Sequence, residues 1–254
     1  MSLTRTYDGD EPQRINKWLA QTGVCSRREA DTLIAEGFVT IDGEVVKDAG
    51  RKIEKGQTLT LEEDGGTKLT VIYNKPLGIV SGQPEAGETP AVRMIRRPNH
   101  YGQLTQWPDQ HSRLAPVGRL DKDSHGLLIL SEDGVIAKAI IGPNSELEKE
   151  YIVRVRGPIF EAKLKWLRHG LELDGRKLRP AGVEQIGEQT LKFILTEGRN
   201  RQIRRMCDMC ELRVIDLYRH RIGPIHIGDL PEGQWRLISD TERTSLISGT
   251  KPDR

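Results

Sequence analysis

Between residues 13 and 46 the apolar positions change their period twice. Ile15, Trp18 and Leu19 recur at helical spacing and Gly23 follows as a stop, which predicts a first helix. Ser26 with Glu29 three residues later has the pattern of a capping box. Ala30, Leu33 and Ile34 supply the buried side of a second helix that Gly37 ends. Phe38 to Ile41 and Glu44 to Val46 are short β runs joined by Asp42-Gly43, the dipeptide that a tight hairpin turn demands. Two helices and a hairpin in so short a span make a small αβ module, 1 to 62.

The chain then reads EEDGGTK up to Leu69, acidic and glycine-bearing, which suits an exposed flexible linker at 63 to 68. The segment from 69 to 241 is strand-rich. Leu69 to Tyr73, Gly78 to Ser81, Leu127 to Leu130, Tyr151 to Val155, Val183 to Ile186 and Leu191 to Leu195 are β-like runs. Helical patterns interrupt them near 134 to 141, at 160 to 169 (closed by Gly170) and at 200 to 210. The order is irregular, with no strict βαβα alternation, so the fold class expected is α+β with a mostly antiparallel sheet. Residues 84 to 113 show no period and read as a long surface insertion, and 242 to 254 as a C-terminal tail.

A length of 254 residues suits one good-sized domain plus a small one, and 36% hydrophobic with 30% charged residues describes a globular protein with a large solvated surface. No apolar run approaches the roughly 20 residues a membrane span needs, and MSLTRTYDGDEPQRINKWLA holds no signal-like stretch, so a cytoplasmic location is expected. Three cysteines make no disulfide framework. Cys207 and Cys210 form C-x-x-C, but a zinc site needs two more ligands and only Cys25 remains among the thiols. Ordinary helix residues is the reading adopted.

The net charge of +2 hides local clusters, and clusters are what bind phosphate. Residues 13 to 28 carry Arg14, Lys17, Arg27 and Arg28 with no acid. Residues 199 to 205 carry Arg199, Arg201, Arg204 and Arg205, again with no acid. Either run alone would read as a solvated helix face.

Three distant stretches carry a resemblance. GRLDKDSHGLLIL (118 to 130), KEYIVRV (149 to 155) and EGRNRQIRRM (197 to 206) resemble the motifs of the RsuA-type branch of the pseudouridine synthases. RINKWLAQTGVCSRREADTLIAEGFVTIDGEVV (14 to 46) resembles the S-four type of RNA-binding domain. The likeness runs from 13 to 238, taking in NKPLGIV (74 to 80) and LPEGQWRLIS (230 to 239). Within the branch it is greatest to members acting on large-subunit ribosomal RNA, type F in particular. The resemblance implies isomerisation of uridine to pseudouridine in structured RNA after base flipping, by a monomer. It also implies that no cofactor or metal takes part. That agrees with the chemistry: the glycosidic bond at N1 breaks, the base rotates and C5 rejoins the sugar, with no electron or group exchanged. The chain has no Walker loop, dinucleotide fingerprint or zinc constellation.

By the same resemblance Asp121 is the carboxylate that engages the base or the anomeric carbon, a role open to an ionised acid. Arg204 would keep it charged inside an enclosed site. Tyr151 would stack on the base, and Arg119 would fill the gap that the extruded nucleotide leaves. Arg201 stands where many relatives have His and reads as an RNA contact, with Arg199 and Arg205 beside it. Arg14, Lys17, Arg27 and Arg28 would hold phosphate on the first module. Asp123 reads as a surface or structural acid, and His125, a loop histidine without a visible partner, receives no role. Small-subunit rRNA and a tRNA anticodon arm stay open as substrates, as does a non-catalytic ribosome-assembly role. The set Asp121, Tyr151 and Arg204 speaks against the last.

Overall fold

A computed structural model of the protein describes residues 2–62, 68–103, 107–108, 112–169 and 171–249. The chain divides into two packed units, Met1–Lys68 with Asp133–Lys138 and Leu69–Glu132 with Ala139–Arg254. Most of the acidic linker, and Gly170, lie outside the described residues.

The first unit runs β1 (Ser2–Thr6), β2 (Gln13–Arg14), α1 (Ile15–Gln21), α2 (Arg27–Glu36), β3 (Val39–Ile41), β4 (Glu44–Val45), β5 (Lys52–Ile53) and β6 (Thr58–Glu62). The capping box forms as the pattern predicts. Ser26 Oγ accepts from Glu29 N at 3.2 Å, and Ser26 N donates to Glu29 Oε2 at the same distance. Gly37 ends α2 in the left-handed region at φ 85°. Asp42 and Gly43 both take positive φ, 50° and 86°, as a two-residue hairpin turn requires. The sheet order is β1-β6-β3-β4, antiparallel throughout, and Ile15, Leu19, Ile34, Ile41 and Leu59 close the core beneath it. The strand β1 carries no strong β pattern of its own. Its register against β6 is marked by paired hydroxyls, Thr4 to Thr60 and Thr6 to Thr58.

The second unit contains β7 (Thr70–Lys75), β8 (Ala115–Val117), β9 (His125–Ser131), α3 (Gly134–Ile141, its first residues grouped with the first unit), β10 (Lys149–Arg156), α4 (Glu161–Arg168), β11 (Glu172–Leu173), β12 (Arg176–Lys177), β13 (Gly182–Gly187), β14 (Thr190–Leu195), α5 (Gln202–Met209), β15 (Arg213–Ile222), β16 (Ile225–His226), β17 (Trp235–Leu237) and α6 (Asp240–Ser248). The main sheet runs β13-β14-β10-β15-β9-β7-β17, with β16 on β15 and β8 on β9. Its pairings are antiparallel except β15 with β9, so the fold is α+β around a mostly antiparallel sheet. At that parallel junction Gly126 has φ +101°, and a Cβ there would lie 2.3 Å from the Arg219 carbonyl oxygen. Only glycine lets β9 draw onto β15 at this point.

Three expectations change. Gly78 to Ser81 is a loop whose only β-type pairing among the described residues is the bridge from Val80 to Pro90, because no strand lies alongside to complete a ladder. The 84 to 113 stretch is more than a surface insertion. Ala91 and Ile95 are buried in the core, and Arg96 O accepts from the indole of fully buried Trp235 at 2.9 Å. The supposed tail carries α6, capped by Ser239 with Glu242 and held by a two-pronged Arg236–Glu242 pair at 2.7 and 2.8 Å.

Candidate active site

Asp121 follows a backbone segment fastened at several points. Ser81 Oγ accepts from Leu120 N at 2.8 Å and donates to Leu120 O at 2.7 Å, with both residues buried. Gly78 N donates to Lys122 O at 2.9 Å, and Asp121 O accepts from Ser124 N at 3.0 Å, closing a turn. The sequence LDKDSHG thus makes a turn and presents Asp121 as well.

A cavity of about 770 Å³ opens beside this turn. Asp121, Tyr151 and Arg204 all line it, together with Arg119, Arg199 and Arg201. These six come from three sequence stretches separated by tens of residues. The sheet brings β10 and β15 side by side, and the loop that leads from β14 into α5 lines the cavity. Arg205 is not among the lining residues. Arg14, Lys17, Arg27 and Arg28 lie in the first unit, exposed and without an acidic partner among the described residues.

The basic run at 199 to 205 is not the free phosphate surface that its composition suggests. Arg199 spends its guanidinium on the carbonyls of Leu173, Arg176 and Lys177 at 2.9, 3.2 and 2.8 Å, with Glu197 at 3.5 Å. Arg205 is paired two-pronged with Asp174 at 2.7 and 2.9 Å. Apart from Glu197, these partners lie within hydrogen-bond distance in space but 22 to 31 positions away in sequence, so no local window reveals them.

Arg201 and Arg204 divide the cation role differently from the resemblance. Arg201 lies 3.6 Å from Asp121 Oδ2 and is bound two-pronged to Asp123 at 2.9 and 2.8 Å. Arg204 Nη2 donates to Asp123 O at 2.5 Å and to Ser124 Oγ at 3.3 Å, with its Nε 3.3 Å from the Asp123 carboxylate. Arg204 therefore secures the turn, and the guanidinium nearest the Asp121 carboxylate is Arg201's. Asp123 is the acid that positions both. The hydrogen bond from Arg201 holds its carboxyl below the usual range, helped by the charge of Arg204. Arg201 caps α5 from the left-handed region, φ 49° and ψ 34°, a conformation that costs a non-glycine residue about 1–3 kcal/mol.

Four groups escaped the sequence reading. Lys149, Arg179 and Arg219 line the cavity, and Lys75 is fully buried, donating to Pro76 O at 2.9 Å and Ile79 O at 2.8 Å. Burial, reinforced by Arg219, lowers the Lys75 ammonium to about 8. Lys149 is lowered to about 8 by burial, then by Arg219 and Arg179. A signal existed for Arg219: in RVIDLYRHRI it shares the inward parity of Leu217, where an apolar residue is normal. His125 also has partners, Asp216 at 3.0 Å and the Tyr218 ring at 4.9 Å. Cys207 and Cys210 are buried free thiols, and burial pushes Cys207 up to about 12. Among the described residues no group of three His, Cys, Asp or Glu side chains is arranged to hold a metal.

Residues 69–209 match the family model described as RNA pseudouridylate synthase, and residues 13–59 match the S4 domain. The chain belongs to the RNA pseudouridylate synthase family. It is 34% identical to the dual-specificity RNA pseudouridine synthase RluF of Salmonella typhi, over 94% of this chain and 80% of the relative. It is 35% identical to the ribosomal large subunit pseudouridine synthase B of Yersinia pestis, over 92% and 75%. A crystal structure of a pseudouridylate synthase superposes with a TM-score of 0.65 at 26% identity, covering 92% of this chain and 99% of that one. The pseudouridine synthase fold thus accounts for the main sheet, and the S4 match for the helix pair and hairpin of the first unit. As a pseudouridine synthase the protein is an isomerase acting on RNA.

Proposed function

We propose that this pseudouridine synthase modifies uridines of large-subunit ribosomal RNA in the cytoplasm, with Asp121 as the reactive carboxylate. The observation that carries the reading is the shared cavity. A carboxylate one-third exposed, a nearly buried tyrosine ring and six arginine side chains line one space of about 770 Å³, ample for a flipped nucleotide.

In this reading the glycosidic bond from C1′ to N1 breaks with its electron pair left on the base. Asp121 first attacks the ring, attacks the sugar carbon, or acts as a base on the sugar. The base turns over the Tyr151 ring, C5 bonds to C1′, and the proton leaves C5 while N1 gains one. Arg201, at 3.6 Å, places a positive charge beside the Asp121 carboxylate throughout. Arg119 is exposed and its guanidinium has no hydrogen-bond or ion-pair partner among the described residues, so it is available to fill the vacated stack. Arg14, Lys17, Arg27 and Arg28 supply docking charge on the first unit.

The names of the relatives support ribosomal RNA, and "dual-specificity" favours a second RNA target such as tRNA. Mapping pseudouridine in ribosomal RNA and tRNA from cells with and without the protein decides the substrate. Loss of a site confined to small-subunit RNA would overturn the large-subunit reading. Asp121→Asn should abolish tritium release from RNA labelled at C5 of uridine while RNA affinity stays within about threefold, since a neutral amide cannot act as the ionised carboxylate. Retained activity would remove Asp121 from the chemistry.

A further inference from the structure

Arg219 sits on β15 as the cross-strand partner of Tyr151 on β10, and it is 3% exposed. Its guanidinium is held in place: Nε donates to Leu127 O at 2.8 Å and Nη1 to Arg119 O at 3.4 Å. Nη2 is buried with no partner, and no carboxylate among the described residues lies within ion-pair distance of the group. The guanidinium carbon is 5.9 Å from the centre of the Tyr151 ring, and the residue lines the cavity.

A buried guanidinium satisfied only by carbonyls is costly to the fold. Such a charge persists where a compensating charge arrives with the ligand. It lies beside the tyrosine ring, so the ligand atoms nearest it belong to the base and not to the RNA backbone at the rim. When the bond from N1 to C1′ breaks, the electron pair stays on the uracil ring and spreads onto O2 and O4. A preorganised cation beside the ring then gains most at the stage where the reaction needs it.

We propose that Arg219 is a further catalytic residue of this enzyme. Its Nη2 donates to a carbonyl oxygen of the flipped uracil and its charge stabilises the negative ring while the base is detached from the sugar. The proposal rests on the Asp121 cavity being the uridine site. Lys149, lining the same cavity with its Nζ on Leu147 O at 3.2 Å, adds to the positive field.

The test uses the full-length enzyme and a transcript that the wild type modifies, prepared with uridine or with 5-fluorouridine. Single-turnover loss of the target nucleoside is followed by digestion and mass analysis, and RNA affinity is measured separately. Fluorine withdraws charge from the ring, so the detached base depends less on a counter-ion. Arg219→Gln should slow the uridine substrate about 100-fold, as loss of one preorganised donor does elsewhere, with affinity within about threefold. On the fluorinated substrate the loss should shrink to less than about tenfold. Arg219→Lys keeps the cation without Nη2, should show a smaller loss with the same narrowing, and decides the matter if Arg219→Gln fails to fold. Equal losses on both substrates would mark Arg219 as structural, and a loss confined to affinity would mark it as a phosphate contact; either overturns the proposal. Asp121→Asn, run alongside, should be inactive on both substrates. Activity there overturns the site assignment independently of any result at Arg219.

Discussion

Replacing Ser81 by Ala removes one oxygen from a buried position and leaves two backbone groups without partners. The hydroxyl accepts from Leu120 N at 2.8 Å and donates to Leu120 O at 2.7 Å, and Leu120 is itself only 6% exposed, so water does not take over either role. Each stranded buried group costs about 1–3 kcal/mol, which for two groups places the destabilisation at about 2–6 kcal/mol. With a urea dependence of about 2–3 kcal/mol per molar, the unfolding midpoint should fall by about 0.7–3 M. Fluorescence of fully buried Trp235, in the same unit, reports it. The catalytic consequence follows from adjacency: Leu120 immediately precedes Asp121, and a misplacement near 1 Å can cost about 100-fold in rate. Ser81 belongs to the second unit, and the exposed cations proposed to dock RNA belong to the first. Turnover should therefore fall about 10- to 100-fold with RNA affinity nearly constant. A variant with unchanged midpoint and unchanged turnover would refute the idea that this hydroxyl positions the carboxylate.

Replacing Arg14, Lys17, Arg27 and Arg28 together by Ala should weaken RNA binding and flatten the slope of log affinity on log salt by about 3, since each free cation releases nearly one counter-ion. Arg205→Ala, which removes a guanidinium already paired with Asp174, should change that slope by well under one; the reverse ranking would place the docking surface on α5. Stability should also depend on Lys75 at alkaline pH. Its folded pKa of about 8 lies below the ordinary 10.5, so between these values the unfolded chain binds more protons and stability rises with pH, by about 1.4 kcal/mol per unit at most. Lys149 contributes in the same window. In urea unfolding at pH 8 and pH 10, Lys75→Met should lose part of the gain that the wild type shows. An identical gain would contradict the burial cost assigned to this ammonium.

The elements that were legible in the chain are those whose hydrogen bonds close within a few residues. Ser26 caps α2 through Glu29, Gly37 ends it, and Asp42-Gly43 turns the hairpin, all without help from distant segments. Strands with an apolar pattern, β7, β9, β10, β13 and β14, were legible too. The longest strand, β15, was not. Its RVIDLYRHRI carries four charged residues in ten and an arginine on its inward side, so neither alternation nor apolar content marks it. It is nevertheless the strand between β10 and β9, and without it Tyr151 and Asp121 would not share a cavity.

At the site, motif resemblance named Asp121, Tyr151 and Arg204, and folding brings them together, because backbone pairing, which those motifs accompany, sets where each side chain emerges. Which arginine stands beside the carboxylate is a different kind of question. Asp123 holds Arg201 across 78 positions, Arg199 is bound to carbonyls 22 to 26 positions away, and Arg205 is paired with Asp174. A run of four cations without a nearby acid looks free in one dimension, yet Coulomb attraction acts on distance in space. Periodicity and capping therefore announce helices, turns and most strands in advance, while charge pairing and the burial of Arg219 and Lys75 come into being only once the sheet has closed.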